Sequence, residues 1–136
     1  METGGNLVSG SKIKDFKDLE VWKAARKLRH DFYKLAKALP DFEKFGLGGQ
    51  LRRAATSVTA NIREGFGRFG VQENIQLCRQ ARGSLYEFRD HLTTCVDEGY
   101  PSLAEGKRLG RMAQSAARLV NGYRRSTLAL KRKTSS

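Results

Sequence analysis

The fold of this 136-residue chain follows from residues 46–70, GLGGQLRRAATSVTANIREGFGRFG. Apolar residues recur there at three- and four-residue steps, as on one face of an α-helix: Leu47, Leu51, Ala54, Val58 and Ile62. Arg52 and Arg63 fall near the opposite side. The apolar face is rich in small residues, so a second helix can approach it closely. We expect this helix, the second in the chain, to span about 47–65 and to be ended by Gly65, Gly67 and Gly70, because glycine adopts the left-handed conformation of many helix C-termini.

Three further segments show helical periodicity. The first spans about 18–39 and ends before Pro40, because proline cannot continue the helical hydrogen-bond ladder. The third spans about 71–98, and the fourth spans about 102–130, where Ser102 and Glu105 predict a capping box. We expect the apolar seam of the fourth helix at Leu109, Met112, Ala116, Leu119 and Tyr123, with Ala113 and Val120 beside it.

Four helices and three short connections predict an all-α fold, an antiparallel up-down-up-down four-helix bundle over residues 14–130. We expect residues 1–13 to be disordered, because they are rich in Gly and Ser and lack periodicity, and residues 131–136 to form a basic polar tail. The first helix carries an apolar stripe wider than a heptad seam, because Trp22 and Ala36 extend it. That stripe suits either a subunit interface or a globular core.

The run FGLGGQLRRAATSVTANIREGFGR, residues 45–68, resembles the four-helix-bundle family encoded by intervening sequences of bacterial 23S ribosomal RNA genes. DLEVW at residues 18–22 looks like the opening of that family, and GSLYE at residues 83–87 looks like its third-helix signature. The resemblance covers about residues 15–125. Family members commonly carry Pro where Thr59 stands and a small residue where Arg63 stands, so we expect the surface to differ there.

The resemblance also carries expectations about assembly and partners. The family is related to the accessory variability determinant of diversity-generating retroelements. It implies a bundle fold, a ring-shaped homo-oligomer that is expected to be a pentamer, and a preference for RNA. The retroelement relatives imply a reverse transcriptase as a possible protein partner. Of these properties, only the bundle fold also follows from the periodicity of the chain.

The charge of the chain is strongly basic and unevenly distributed. Lys and Arg number 26 against 14 Asp and Glu, which gives a net charge of +12. Residues 101–136 alone hold nine basic residues and one acidic residue. A basic surface favours polyanionic partners, because each phosphate contact releases condensed counterions. An acidic protein partner and a merely solubilising charge are the alternatives.

Candidate nucleic-acid contacts lie on the fourth and second helices, because guanidinium forks suit phosphate oxygens. The fourth helix carries a stripe of arginines at seven-residue intervals: Arg111, Arg118, Arg125 and Arg132. Lys107 lies in line with this stripe, and Arg108 and Arg124 flank it. The second helix contributes a smaller basic surface: Arg52, Arg53, Arg63 and Arg68. The alternative for the stripe is a solvated face. The alternative for the second surface is pairing between subunits with Glu87, Asp90 or Glu98.

The string GFGRFG at residues 65–70 matches the spacing of a dinucleotide fingerprint. That fingerprint needs a strand before it and a helix after it, whereas here a helix precedes it. We therefore expect no cofactor. Phe66 and Phe69 are expected to close the end of the bundle, and base stacking by Phe69 is the alternative.

No catalytic or metal-binding constellation is evident. Glu64 has no second carboxylate or histidine nearby that would support acid–base catalysis. Cys78 and Cys95 fall on the seam of the third helix, 17 residues apart, so they are expected to be core thiols that cannot bridge each other. His91 follows Glu87 by four residues, which indicates a surface pair.

The sequence thus predicts a non-enzymatic, homo-oligomeric protein that binds nucleic acid, with RNA favoured and DNA possible. An oligomeric scaffold that docks a protein such as a reverse transcriptase is the alternative. We expect a cytoplasmic location and no membrane partner, because the N-terminus lacks the apolar core of a signal peptide and no run is long enough to span a bilayer.

Overall fold

The computed structural model describes residues 13–67 and 70–135, with side chains up to residue 129. Within those ranges the chain forms four α-helices and no strand: α1 (Glu20–Ala38), α2 (Leu47–Phe66), α3 (Val71–Asp97) and α4 (Leu103–Ser135). Single 3-10 turns at Phe16–Asp18 and Asp41–Glu43 precede α1 and α2. The prediction of an all-α fold is confirmed. Apart from Ile13, the segment expected to be disordered lies outside the described residues.

The helices pack in chain order, and α1 also packs against α4, as in a four-helix bundle. Phe32 of α1 and Phe88 of α3 are fully buried, and their rings stack between two helices that are not neighbours. Trp22 and Ala36 are 7% and 6% exposed. The wide apolar stripe of the first helix is therefore occupied by the core of the same chain.

The apolar seam of α4 is rotated from the expected one. Its buried apolar residues are Leu109, Ala113, Ala116, Ala117, Val120 and Tyr123. Met112 and Leu119 were expected at the centre, but they are only half-buried and pack against the edge of the core. The small side chains of Ala113 and Ala116 allow close approach of α4, which is why the alanine face turns inward.

The fourth helix also extends further than the expected end at residue 130. It continues to Ser135 through a segment for which we expected a polar tail. Residues 131–135 contain neither Gly nor Pro, so each added residue gains a backbone hydrogen bond at little cost. The basic residues there also suit the negative end of the helix dipole.

The end of α2 corrects our interpretation of its glycines. Gly67 has φ −77°, so it does not adopt the left-handed conformation. Gly65 lies inside α2 and is buried, and a Cβ atom there would overlap Oδ1 of Asn74 in α3. Gly65 therefore serves the close approach of two helices. The left-handed glycine of the described chain is Gly99, with φ 75°, at the end of α3.

Within the described ranges, every helix is too short or too polar to cross a bilayer.

Candidate nucleic-acid interface

The basic stripe of α4 faces solvent where the structure describes it. Arg111, Arg118 and Arg125 are exposed, and seven residues of helix separate them by about 10 Å along the axis. None of the three has an ion pair or a side-chain hydrogen bond with another described residue. The only acidic residue in the sequence of α4 is Glu105, near its N-terminus. The three guanidinium groups are thus available to external anions.

Arg108 differs from the stripe, because acidic side chains already engage it. Its Nε and Nη2 donate to the two oxygens of Glu105 at 2.8 and 2.7 Å, and its Nη1 donates to Oδ2 of Asp31 at 3.0 Å. The hydrogen bonds with Glu105 and Asp31 raise the pKa of Arg108, and the bond from Arg108 lowers the pKa of Glu105. Arg108 therefore links α4 to α1.

The expected capping box of Ser102 and Glu105 forms only in part. The Ser102 hydroxyl accepts a hydrogen bond from the backbone N–H of Glu105 at 3.0 Å, which caps α4 as expected. The Glu105 side chain, which would complete the box, instead holds Arg108. A charged partner binds a carboxylate more strongly than a backbone amide does, which explains the difference.

Arg124 is also set apart from the stripe. It is half-buried, and its Nε is enclosed without a hydrogen-bond partner among the described residues. It lies close enough to Cys78 to influence the thiol. Burial raises the pKa of Cys78 to about 11, and the charge of Arg124 opposes that rise. The Arg124 stem thus lies against the α3 side of the bundle.

The second helix places its arginines in different settings. Arg52 donates to the backbone carbonyl of Lys44 at 3.0 Å and so ties down the connection that precedes α2. Arg53 is exposed and donates to Gln50 at 2.6 Å. Arg63 is exposed. Among the described arginines of the expected second surface, Arg53 and Arg63 are therefore the exposed ones.

Two of the predicted contacts, Arg68 and Arg132, and the aromatic ring of Phe69 cannot be placed, because they lie outside the described backbone or side chains. Lys107 is exposed and lines a groove between α3 and α4. Phe66 is partly buried and packs against the core, in agreement with the expectation that it closes the end of the bundle.

A row of cations on α1 was not foreseen from the sequence. Five cations are exposed and lie opposite the apolar seam of the helix, with the imidazole of His30 between them: Lys23, Arg26, Lys27, Lys34 and Lys37. Their three- and four-residue spacing is visible in the sequence. In a sum over the first 45 residues, however, the acidic residues of the flanking turns hide the charge of the row.

A buried polar cluster joins α3 to α4 and was not foreseen either. Asn74 is 7% exposed and donates to the hydroxyls of Tyr123 at 3.3 Å and Thr127 at 3.2 Å. Burial raises the pKa of Tyr123 to about 12, although the hydrogen bond with Asn74 acts in the opposite direction. An isolated asparagine in a helix gives no sequence signal for such a cluster.

One end of the bundle combines a polar lock with exposed aromatic rings. Glu43 accepts hydrogen bonds from the Tyr100 hydroxyl at 3.0 Å and from the backbone N–H of Leu47 at 3.3 Å. Burial, followed by this hydrogen bond, raises the pKa of Tyr100. Phe42 and Phe45 of the same connection are 79% and 86% exposed.

The groove between α3 and α4 that Lys107 lines has a volume of about 580 Å³. Its lining includes two exposed apolar side chains, Tyr86 and Leu103, at 55% and 70% exposure. Gly106 lies at its floor, where an added Cβ would approach Val96 to 2.6 Å. The groove is mainly apolar, in contrast to the basic surface of α1.

The two cysteines and His91 occupy the settings that were expected for them. Cys78 and Cys95 are buried free thiols, and burial raises the pKa of each to about 11. His91 Nε2 lies 3.4 Å from Oε2 of Glu87, so the expected pair forms. In the part of the chain that the structure describes, no group of three or more His, Cys, Asp or Glu residues could hold a metal ion.

Comparison with known proteins adds a family. The model of the 23S rRNA-intervening sequence protein family matches residues 17–122. A search among curated proteins found no match. The matched range runs from the 3-10 turn before α1 into α4, so it includes the whole of α1, α2 and α3 and residues 103–122 of α4. This chain therefore belongs to the 23S rRNA-intervening sequence protein family.

Proposed function

We propose that this protein is a non-enzymatic, cytoplasmic nucleic-acid-binding protein that acts as a homo-oligomer. The observation that carries the proposal is the stripe of Arg111, Arg118 and Arg125 on α4, which faces solvent. RNA is the favoured ligand and DNA is possible. The preference for RNA derives from the family resemblance, and the preference for a polyanion derives from the charge.

The contacts would be made mainly to the phosphate backbone. The three arginines lie in one row, and Glu105, the only acid in the sequence of α4, is held by Arg108. A row of cations without nearby carboxylates binds a line of phosphates with little sequence preference. Such binding weakens as salt rises, because released counterions drive it.

We also propose that the bundle is antiparallel with up-down-up-down connections. Ser57 of α2 bonds Ser84 of α3 at 2.8 Å, whereas Gly65, later in α2, adjoins Asn74, earlier in α3. Residue numbers that rise along one helix and fall along its neighbour support opposite directions. The same argument supports opposite directions for α3 and α4, because Arg82 bonds Asn121 whereas Asn74, earlier in α3, bonds Thr127, later in α4.

Assembly into a homo-oligomer, with five subunits as the resemblance implies, would multiply the stripes on one particle. Two exposed rings in the connection before α2, Phe42 and Phe45, support a subunit contact, because exposed apolar patches mark interaction sites. Several stripes on one ring would bind a long strand with avidity.

The second candidate is an oligomeric scaffold that docks a protein such as a reverse transcriptase. This candidate rests on a proposed relation of the family to retroelement accessory determinants. The mainly apolar groove between α3 and α4 favours it. Such a groove suits a partner side chain or helix better than a phosphate backbone. Binding that persists at high salt would favour this candidate.

The test of the nucleic-acid proposal is the triple variant R111E/R118E/R125E. We expect it to lose binding to a labelled structured RNA while its helical circular dichroism stays unchanged. The control K17E/K34E/K44E carries the same net charge, with reversals at exposed lysines outside the α4 stripe. Wild-type affinity in the stripe variant, or equal losses in both variants, would overturn the assignment of the stripe.

A further inference from the structure

The cations on the outer side of α1 border a groove between α1 and α2. The groove has a volume of about 480 Å³ and is lined by Arg26, Arg29, His30, Tyr33, Lys37 and Thr56. A smaller depression beside it shares Arg26 and His30 and adds Lys23 and Lys27. A third adjoins it through Arg29 and leads to Arg63. The three form one continuous basic surface.

Acidic side chains are directed away from this surface. No Asp or Glu is among the described residues that line the three depressions. Asp31, which follows His30 in α1, turns to the other side and pairs with Arg108 of α4 at 3.0 Å. Glu20 pairs with Lys23 at 3.3 Å, at the far end of the row. The groove itself therefore keeps its positive charge.

Neutral partners hold two of the guanidinium groups in place. Arg29 Nη1 donates to the Thr59 hydroxyl at 3.0 Å, across the contact between α1 and α2. The guanidinium carbon of Arg26 lies 5.7 Å from the centre of the Trp22 ring, in cation–π contact. Neither partner carries a negative charge. Both cations are thus positioned before a ligand arrives, which lowers the entropic cost of binding.

The groove suits one strand of nucleic acid better than a duplex. Neighbouring helices pack with their axes about 8–10 Å apart, so the furrow between α1 and α2 is narrow. A duplex keeps its bases paired and stacked inside the helix, whereas an unpaired strand can place a base on an aromatic ring in such a furrow. Tyr33 lies half-buried in the groove and offers a ring on which a base can stack.

We propose that the α1–α2 groove binds a single nucleic-acid strand, with phosphates at Arg26, Arg29 and Lys37 and a base against Tyr33. This site is separate from the α4 stripe, and the inference rests on the proposed binding of nucleic acid. The stripe would hold the phosphate backbone of any nucleic acid. The groove would give the protein its preference for unpaired segments.

The test compares two exposed lysines, three residues apart on α1. Lys37 lines the groove, whereas Lys34 does not and lies where its charge influences Glu105 of α4. The probe is a fluorescein-labelled 20-nucleotide oligouridylate, titrated at several salt concentrations. We expect K37Q to lower the slope of log affinity against log salt by about 0.7, because each cation that binds a single-strand phosphate adds about 0.7 to that slope. The control K34Q should keep the wild-type slope.

A photo-crosslink supplies a readout that the overall charge does not affect. An oligonucleotide that contains 5-iodouridine should crosslink to Tyr33 in the wild-type protein, and an unlabelled single strand should compete better than a duplex. A wild-type slope in K37Q, or crosslinks confined to α4, would overturn the groove while leaving the stripe intact. If the wild-type protein binds neither strand nor duplex at low salt, both proposals fail.

Discussion

Gly65 shows how one missing side chain sets the distance between two helices. Alanine there would place a Cβ atom against Oδ1 of Asn74. Asn74 is buried, and its Nδ2 already donates hydrogen bonds to Tyr123 and Thr127. We expect G65A to lower the free energy of unfolding by about 1–3 kcal/mol, because overpacking forces the helices apart. Urea unfolding followed by circular dichroism measures the change.

Gly83 provides the matched control. It also lies inside a helix, but a Cβ atom there meets nothing within 4 Å. Because glycine costs a helix about 0.5–1 kcal/mol relative to alanine, G83A should stabilise the protein by up to that amount. Equal effects of G65A and G83A would show that close approach at position 65 is not what requires glycine.

Three buried acids make the protein sensitive to alkaline pH. Burial raises the pKa of Cys78 and Cys95 to about 11 and that of Tyr123 to about 12. The folded state therefore retains protons that the unfolded chain releases above about pH 9. Their contribution to stability is complete below pH 9 and is lost as pH rises through 11 to 12.

We expect the free energy of unfolding to fall between pH 9 and 11, by roughly 2–3 kcal/mol for Cys78 alone if its full shift is realised. Urea titrations at pH 8, 9.5 and 11 measure it. The variant C78A/C95A should show a shallower fall, since it keeps only the contributions of the tyrosines whose pKa is raised, Tyr100 and Tyr123. A wild-type stability that stays constant up to pH 11 would contradict the burial of the protonated thiols.

Buried residues could be predicted from the sequence only where the helical repeat places apolar residues on one face. Leu51, Val58 and Ile62 are buried as expected, since one face of a helix places them together. Gly65 and Asn74 could not be interpreted alone, because each has its role only in contact with a residue of the neighbouring helix. Local sequence carries no information about which side chain a glycine will meet.

The helix α4 carries two kinds of arginine, and a pair of substitutions separates them. Arg108 is held by Glu105 and Asp31, whereas Arg111 faces solvent one turn later. We expect R111Q to lower the salt slope of RNA binding by about 0.7–0.9, the share of one phosphate contact. R108Q should leave that slope unchanged, because its cation is already neutralised.

R108Q should also have only a small effect on stability. Its side chain is 43% exposed, so the ion pairs are screened by solvent and contribute about 0–1 kcal/mol. Filter binding at four salt concentrations and urea unfolding of both variants measure the two effects. A larger decrease of RNA binding in R108Q than in R111Q would show that Arg108 exchanges its acidic partners for phosphates.

The elements themselves follow closely from the sequence, with two physical exceptions. The bounds of α2 and α3 agree with the periodic segments to within one residue. The seam of α4 differs because periodicity does not reveal that small alanine side chains, rather than Met112, face the core. The extension of α4 to Ser135 could not be predicted, because a polar composition is typical both of a tail and of an exposed helical turn.

The molecule as a whole leaves aromatic rings uncovered at one end of the bundle. Phe42 and Phe45 are 79% and 86% exposed in the connection before α2. If they form a subunit contact, F42S/F45S should lower the mass measured by light scattering towards that of the 15.2 kDa monomer, with helicity unchanged. Exposed rings contribute little to the core, so the fold should persist.

The control for this prediction is Y86S, a substitution of an exposed aromatic residue on α3, away from that connection. We expect the wild-type protein and Y86S to keep the same mass. An unchanged mass in F42S/F45S, or a monomeric wild-type protein, would contradict the subunit contact at this end of the bundle.

The candidate site was only partly accessible to sequence reasoning. The stripe on α4 stood out because nine basic residues and one acid occur in residues 101–136. The basic groove between α1 and α2 did not, because a count over the first 45 residues sets seven acidic residues against ten basic ones. Only the bundle shows that Asp31 turns towards α4 and away from the groove.

The measurement that tests the central proposal most directly is the salt dependence of RNA binding by the wild-type protein, with its mass determined under the same conditions. We predict binding at 50 mM salt by a species larger than 15.2 kDa, and a steep decrease of affinity by 200 mM. Absence of binding at 50 mM, or an affinity that does not change with salt, would contradict recognition of phosphate by the basic surfaces.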